Sequence, residues 1–120
     1  MTQPGPHQLL YIAGPMTGLP GYNFDAFNDA ATDLRQAGFH VLNPARRGVI
    51  PGHAWEDYLR KALGDVLRAD GLALLPGWEN SRGASLEVLV AQHLSIPTAP
   101  LADWLDRRAA RVAALLAVPQ

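Results

Sequence analysis

Four times along this chain a short apolar run is followed by a segment whose apolar residues recur every three or four positions, and few architectures accommodate that alternation. The runs are Leu9 to Ala13, Phe39 to Leu42, Gly71 to Leu75 and Ile96 to Ala99. They are too short to be helices, as expected of buried strands. The first periodic segment carries Phe24, Phe27, Ala30, Ala31 and Leu34, with Asn23 as its N-cap and Gly38 as its stop. The second, Ala54 to Ala69, places Trp55, Leu59, Ala62, Leu63 and Val66 on one stripe, with Asp65 at the edge of it. Gly83 to Leu94 is the third. The fourth, Ala102 to Val118, turns Trp104, Leu105, Val112, Leu115 and Leu116 inward and leaves Arg107, Arg108 and Arg111 exposed. Such alternation requires a parallel sheet with right-handed crossovers and helices on both faces. The expected fold is a single-domain α/β protein, a doubly wound parallel sheet of strand order 2-1-3-4. In that order the connections after the first and third strands leave toward opposite faces and open a crevice at the strands' carboxyl ends.

With 120 residues the chain is long enough for one core and too short for two. Residues 1–8, rich in Pro and Gly, read as a flexible leader, and 9–120 as the domain. A net charge of −1 gives no electrostatic case for binding a nucleic acid polymer, so an anionic ligand must be held by local donors. The absence of cysteine excludes a thiolate nucleophile and cysteine-based metal sites, and the four histidines lack metal-ligand spacing. No apolar run is long enough for a membrane span and no signal sequence is evident, so a cytoplasmic protein without a membrane partner is expected.

Two loops flank the predicted crevice. Gly14-Pro15-Met16-Thr17-Gly18 allows a tight turn with exposed N–H groups, either as a phosphate or sugar cradle or as a plain connection. Its Gly-x-x-x-Gly spacing is not the dinucleotide fingerprint. The other loop, Pro76 to Gly83, leads into a helix with Asn80 and Ser81 as candidate caps. Glu87 is the anomaly of that helix. Its neighbours at helical spacing are Gly83, Ala84, Val90, Ala91 and Leu94, which aims a carboxylate along the stripe that should face the sheet. An inward carboxylate is costly unless paired, hydrogen-bonded or used in chemistry. The alternative is a side chain near the helix start that gains from the macrodipole and reaches water past two small residues. Arg46 and Arg47, in the loop opened by Asn43-Pro44, either reach a phosphate or are simply solvated.

YIAGPMTG at Tyr11 to Gly18, ADGLALL at Ala69 to Leu75 and SRGASLE at Ser81 to Glu87 resemble, in order and spacing, the nucleoside 2-deoxyribosyltransferase superfamily. The LLPGWENSRGASLE stretch looks most like an uncharacterised bacterial and phage branch of it. The resemblance covers roughly Leu9 to Pro97 and implies a flavodoxin- or Rossmann-like three-layer sandwich. It implies Glu87 as the nucleophile that attacks C1′ of the sugar, and Tyr11 as the residue that orients it and holds it ionised. Ser81, a serine where related nucleoside transferases carry an aspartate, implies a 5′-monophosphate, as in the 2′-deoxynucleoside 5′-monophosphate N-glycosidases. Gly83, Arg82, Gly14, Met16, Thr17 and Gly18 would add contacts, and Trp78 would stack on the base.

Glycosyl transfer with retention uses two carboxyl groups about 5 Å apart, one attacking and one protonating the leaving group. The family's second acid falls at Ala62 here. Asp65, one helical turn later, is the provisional replacement. No metal or cofactor is expected, because the two carboxylates perform the acid–base work, and the resemblance implies a homo-oligomer, taken as a dimer. A nucleotide-binding or sensor module that lost the second acid is the rival expectation. A third is a small scaffold whose arginine-bearing last helix docks a partner.

Overall fold

The computed structural model describes residues 8–116, so the leader before Gln8 and the end of the last helix at Val118 lie outside the described residues. β1 (Leu9–Ala13), β2 (His40–Leu42), β3 (Gly71–Leu74) and β4 (Thr98–Pro100) form one sheet. α1 (Phe24–Gln36), α2 (Trp55–Arg68), α3 (Arg82–His93) and α4 (Leu101–Leu116) connect and cover it. The strand order is β2-β1-β3-β4 and every pairing is parallel, as the alternation requires. Tyr11 on the central strand is in register with Leu42 of β2 and Leu72 of β3. Gln8, placed at the end of the leader by its composition, already accepts a hydrogen bond from the His40 N–H at 2.9 Å.

Side chains alternate along the strands and so divide the core. Leu10, Ile12, Ala73 and Leu75 face Phe27, Ala30, Ala31 and Leu34 of α1 and Trp104 of α4. Tyr11, Ala13, Leu72 and Leu74 face Ala62 and Val66 of α2 and Val88 and Ala91 of α3. Two anchors tie sheet to surroundings. The Trp104 indole N–H donates to the Leu72 carbonyl at 2.8 Å, and the Asp70 carboxylate accepts from the Leu9 N–H at 2.8 Å.

Several local expectations are corrected. Asn23 precedes α1 but does not cap it with its side chain. It stands in the left-handed region, φ 60°, and its amide donates instead to the Pro15 carbonyl at 3.0 Å, binding the loop after β1 to the helix start. On α4 only Trp104 is buried, while Val112, Leu115 and Leu116 are 45%, 68% and 83% exposed. Their stripe is apolar, but the helix has run beyond the sheet that would cover it. The molecule is accordingly drawn out, measuring 60 × 29 × 22 Å. Arg108 is not a free surface cation either: it donates to the Ala37 carbonyl at 3.2 Å and lies 4.3 Å over the Phe39 ring. Among the described residues no helix is long and apolar enough to cross a membrane.

Candidate active site

Parallel strands whose flanking helices begin at the carboxyl edge bring helix N-termini and strand ends to one side. That edge is tight here. A Cβ on Gly14 would stand 2.8 Å from Leu75 Cβ, so the loop after β1 packs directly on the end of β3. Close approach is thus a sufficient reason for a glycine at position 14. Of the other residues in that loop, Thr17 and Gly18 are exposed, and Met16 packs against the α1 side of the core. Ser81 is the N-cap of α3, its Oγ accepting from the Ala84 N–H at 3.2 Å. Arg82 lies 4.0 Å over the Trp55 ring, beside Gly83, so the N-terminal ends of α2 and α3 meet there. Trp78 is half-buried against the α2/α3 side of the core.

One turn into α3, Glu87 points inward and is 7% exposed. The reading in which it reaches water past two small residues is overturned, because Ala84, Val88 and Ala91 of the same face are buried with it. Tyr11, fully enclosed on β1, donates its hydroxyl to Glu87 Oε2 at 3.0 Å. The pair spans 76 residues of sequence. Burial pushes the Glu87 carboxyl up to about 8, against the opposing pull of the Tyr11 hydroxyl and of the Arg47 guanidinium, with the nearby Asp65 charge adding to the rise. Tyr11, expected to hold Glu87 ionised, does pull its carboxyl toward the charged form, but desolvation outweighs that pull. Burial and the neighbouring Glu87 charge raise the Tyr11 phenol well above its ordinary range, so it remains a donor.

Asp65 is also buried, contrary to the solvated position that the edge of a helical stripe suggests. Its Oδ2 accepts from Arg47 and its Oδ1 from Arg68 at 3.1 Å. Both oxygens are thus engaged as acceptors, which is not the arrangement of a carboxylic acid offering a proton. Arg47, left by the sequence between a phosphate contact and a solvated loop cation, takes a third place beside Asp65 and is the residue that sequence reasoning underrated. The 3-10 turn Pro44–Arg47 sets its position. Asn43 caps that turn through Oδ1 on the Ala45 N–H at 3.0 Å, and is itself held by a 2.9 Å bond from its Nδ2 to Asn28 Oδ1. Tyr58 clamps the far side of the loop by accepting from the Ile50 N–H at 2.8 Å. The available signal was position: Arg47 follows directly on the carboxyl end of β2, the edge where the other site residues gather.

Two surface cavities lie away from the Tyr11–Glu87 pair. One of about 490 Å³ runs past Trp78 between the ends of β3 and β4; another of about 300 Å³ lies at the strands' amino ends, beside Trp104 and Arg108. Chemistry rather than cavity size marks the site. Among the described residues no three His, Cys, Asp or Glu side chains come together as a metal cluster.

An open parallel α/β sheet with a buried carboxyl–phenol pair joining its central strand to a covering helix defines the class of domain. The chain belongs to the family described as "Domain of unknown function (DUF4406)", whose model matches residues 8–99 and so includes every site residue named above. Among solved structures it is similar to a 2-deoxyribosyltransferase from the psychrotolerant bacterium Bacillus psychrosaccharolyticus. The TM-score is 0.60 at 18% identity, over 75% of this chain and 69% of that one. At that identity the likeness establishes the shared fold. No curated protein matches the sequence.

Proposed function

We propose that this protein cleaves the N-glycosidic bond of a 2′-deoxynucleoside 5′-monophosphate, as an N-glycosidase or a deoxyribosyltransferase, through a glycosyl ester on Glu87. The observation that carries the reading is the buried hydrogen bond from Tyr11 to Glu87, 3.0 Å long, on a fold shared with a deoxyribosyltransferase. Burying a carboxyl beside a phenol costs stability that a merely structural helix would avoid with a leucine. In the reaction Glu87 ionises and one oxygen attacks C1′. The C1′–N bond breaks with its electron pair on the base nitrogen, which takes up a proton from water, balancing the one that Glu87 released. Water, or the nitrogen of a second base, then displaces the ester and restores the carboxylate. Tyr11 fixes the other oxygen throughout. Ser81, Arg82, Gly83 and the backbone of Met16 to Gly18 supply donors for the phosphate at the mouth of the sheet, Gly14 lets the loop close on β3, and Trp78 covers the base.

The test is incubation with each of the four deoxynucleoside monophosphates, following free base by chromatography. Wild type releases base, and Glu87→Gln lowers the rate by roughly a thousandfold or more, as loss of a covalent nucleophile commonly does. Equal release by both proteins would sink the assignment.

One observation favours a second reading. With Ala62 at the family acid's position and both Asp65 oxygens accepting from arginines, neither position offers a free second acid, which suits a nucleotide-binding or sensor module. Calorimetry separates the two, since tight nucleotide binding with no base released over hours belongs to the sensor. We also propose a homodimer, supported by the uncovered apolar stripe of α4.

A further inference from the structure

Asp65 and Glu87 lie on the inward faces of two helices that cover Tyr11, and Glu87 accepts from its phenol. α2 turns Ala62, Asp65 and Val66 inward, α3 turns Ala84, Glu87, Val88 and Ala91 inward, and the apolar members Ala62, Val66, Val88 and Ala91 pack with Tyr11 in one cluster. Two buried carboxyl groups so placed disfavour each other's charge unless a cation stands with them. Arg47 is that cation. Its side chain is 27% exposed and bonds Asp65 Oδ2, while Arg68, 63% exposed, reaches Oδ1 from the rim.

We propose that Asp65 is the anchor of Arg47, and that Arg47, so held, is a positioning residue that favours the ionised form of Glu87. The inference rests on the reading of Glu87 as the attacking group, and gives Asp65 a task other than proton donation. The groups that face Glu87 are Tyr11 from β1, Asp65 from α2 and Arg47 from the turn after β2, with Arg68 acting through Asp65. Of the two charges, Arg47 pulls Glu87 toward ionisation more strongly than Asp65 pushes it away. The anchor therefore has a signature of sign. Taken as a bare negative neighbour, Asp65 lowers the Glu87 midpoint when neutralised. As the tether of Arg47, its neutralisation lets the guanidinium swing to water, and the midpoint rises.

The experiment is a carbon-13 NMR titration of the side-chain carboxyl carbons of glutamate-labelled protein, with Glu87 assigned by its loss in Glu87→Gln. Asp65→Asn and Arg47→Gln are each expected to raise the Glu87 midpoint, by roughly one unit. Arg47→Lys, which keeps the charge, should stay close to wild type. In the Arg47→Gln background, Asp65→Asn should instead lower the midpoint, because only the carboxylate's own field is then lost. A fall in the single Asp65→Asn variant, or no change in Arg47→Gln, overturns the proposal. Arg47→Gln alters a partly exposed turn residue and carries the test if Asp65→Asn does not fold. The titration needs no substrate: a protein that shows the sign reversal and releases no base refutes the reaction and keeps the anchor.

Discussion

Glu87 holds its proton in the folded protein up to about pH 8, where a carboxyl in the open chain releases it near 4.5. Between those two values the native state binds a proton that the unfolded state does not, so stability falls as pH rises. The slope contributed is about 1.4 kcal/mol per pH unit where the difference is one full proton, and vanishes above the folded value. Glu87→Gln has no such proton to lose. Its thermal midpoint should therefore gain on that of wild type as pH is raised from 5.5 to 8.5, measured side by side by calorimetry; a constant offset across the range would show that Glu87 ionises freely. The position of this residue was legible in the sequence, because a carboxylate on a stripe of Ala, Val and Gly stands out by helical spacing alone. Its charge was not legible. Desolvation is a sum over everything packed around a group, and the sequence does not say how completely β1, α2 and α3 close on it. Asp65 is the mirror case, as its edge position suggested water and Arg47 brought it inside.

At the level of elements, the strand and helix order followed from apolar runs and their punctuation, since each run is short and is stopped by Gly14, Asn43, Pro76 or Pro100. What periodicity cannot give is the extent of the surface that a helix lands on. α4 reads as amphipathic to its end, yet β4 is three residues long and the sheet stops with it. The same strands explain Gly71. A Cβ there would come within 2.7 Å of two Trp104 ring atoms and 3.0 Å of Leu10 Cδ2, and the ring is held by its bond to the Leu72 carbonyl. Gly71→Ala should therefore lose about 1–3 kcal/mol, the cost of overpacking a rigid core, read as a lower urea midpoint at unchanged slope. The turn that presents Arg47 was hidden for another reason. Its conformation depends on Asn43 bonding Asn28, a contact between elements that no local pattern encodes.

For the molecule as a whole, the drawn-out shape has a measurable counterpart. Ending the chain after Arg111 removes Val112, Leu115 and Leu116, none of which is buried in the described chain. The unfolding free energy of the dilute protein, read from urea titration, should change by no more than about 0.5 kcal/mol. Sedimentation velocity should change from the proposed dimer to monomer, and an unchanged coefficient would remove the α4 stripe from any role in association. The place of Tyr11 has a different consequence. It sits on β1, which like β3 has a ladder partner on either side, so its backbone amide belongs to the segments slowest to exchange hydrogen for deuterium. The stationary jaw of the vice is then the sheet. In the proposed reaction, whatever breathing opens the free oxygen of Glu87 to a sugar while Tyr11 keeps its grip on the other falls to the first turns of α3, the moving jaw, whose near end Ser81 pegs.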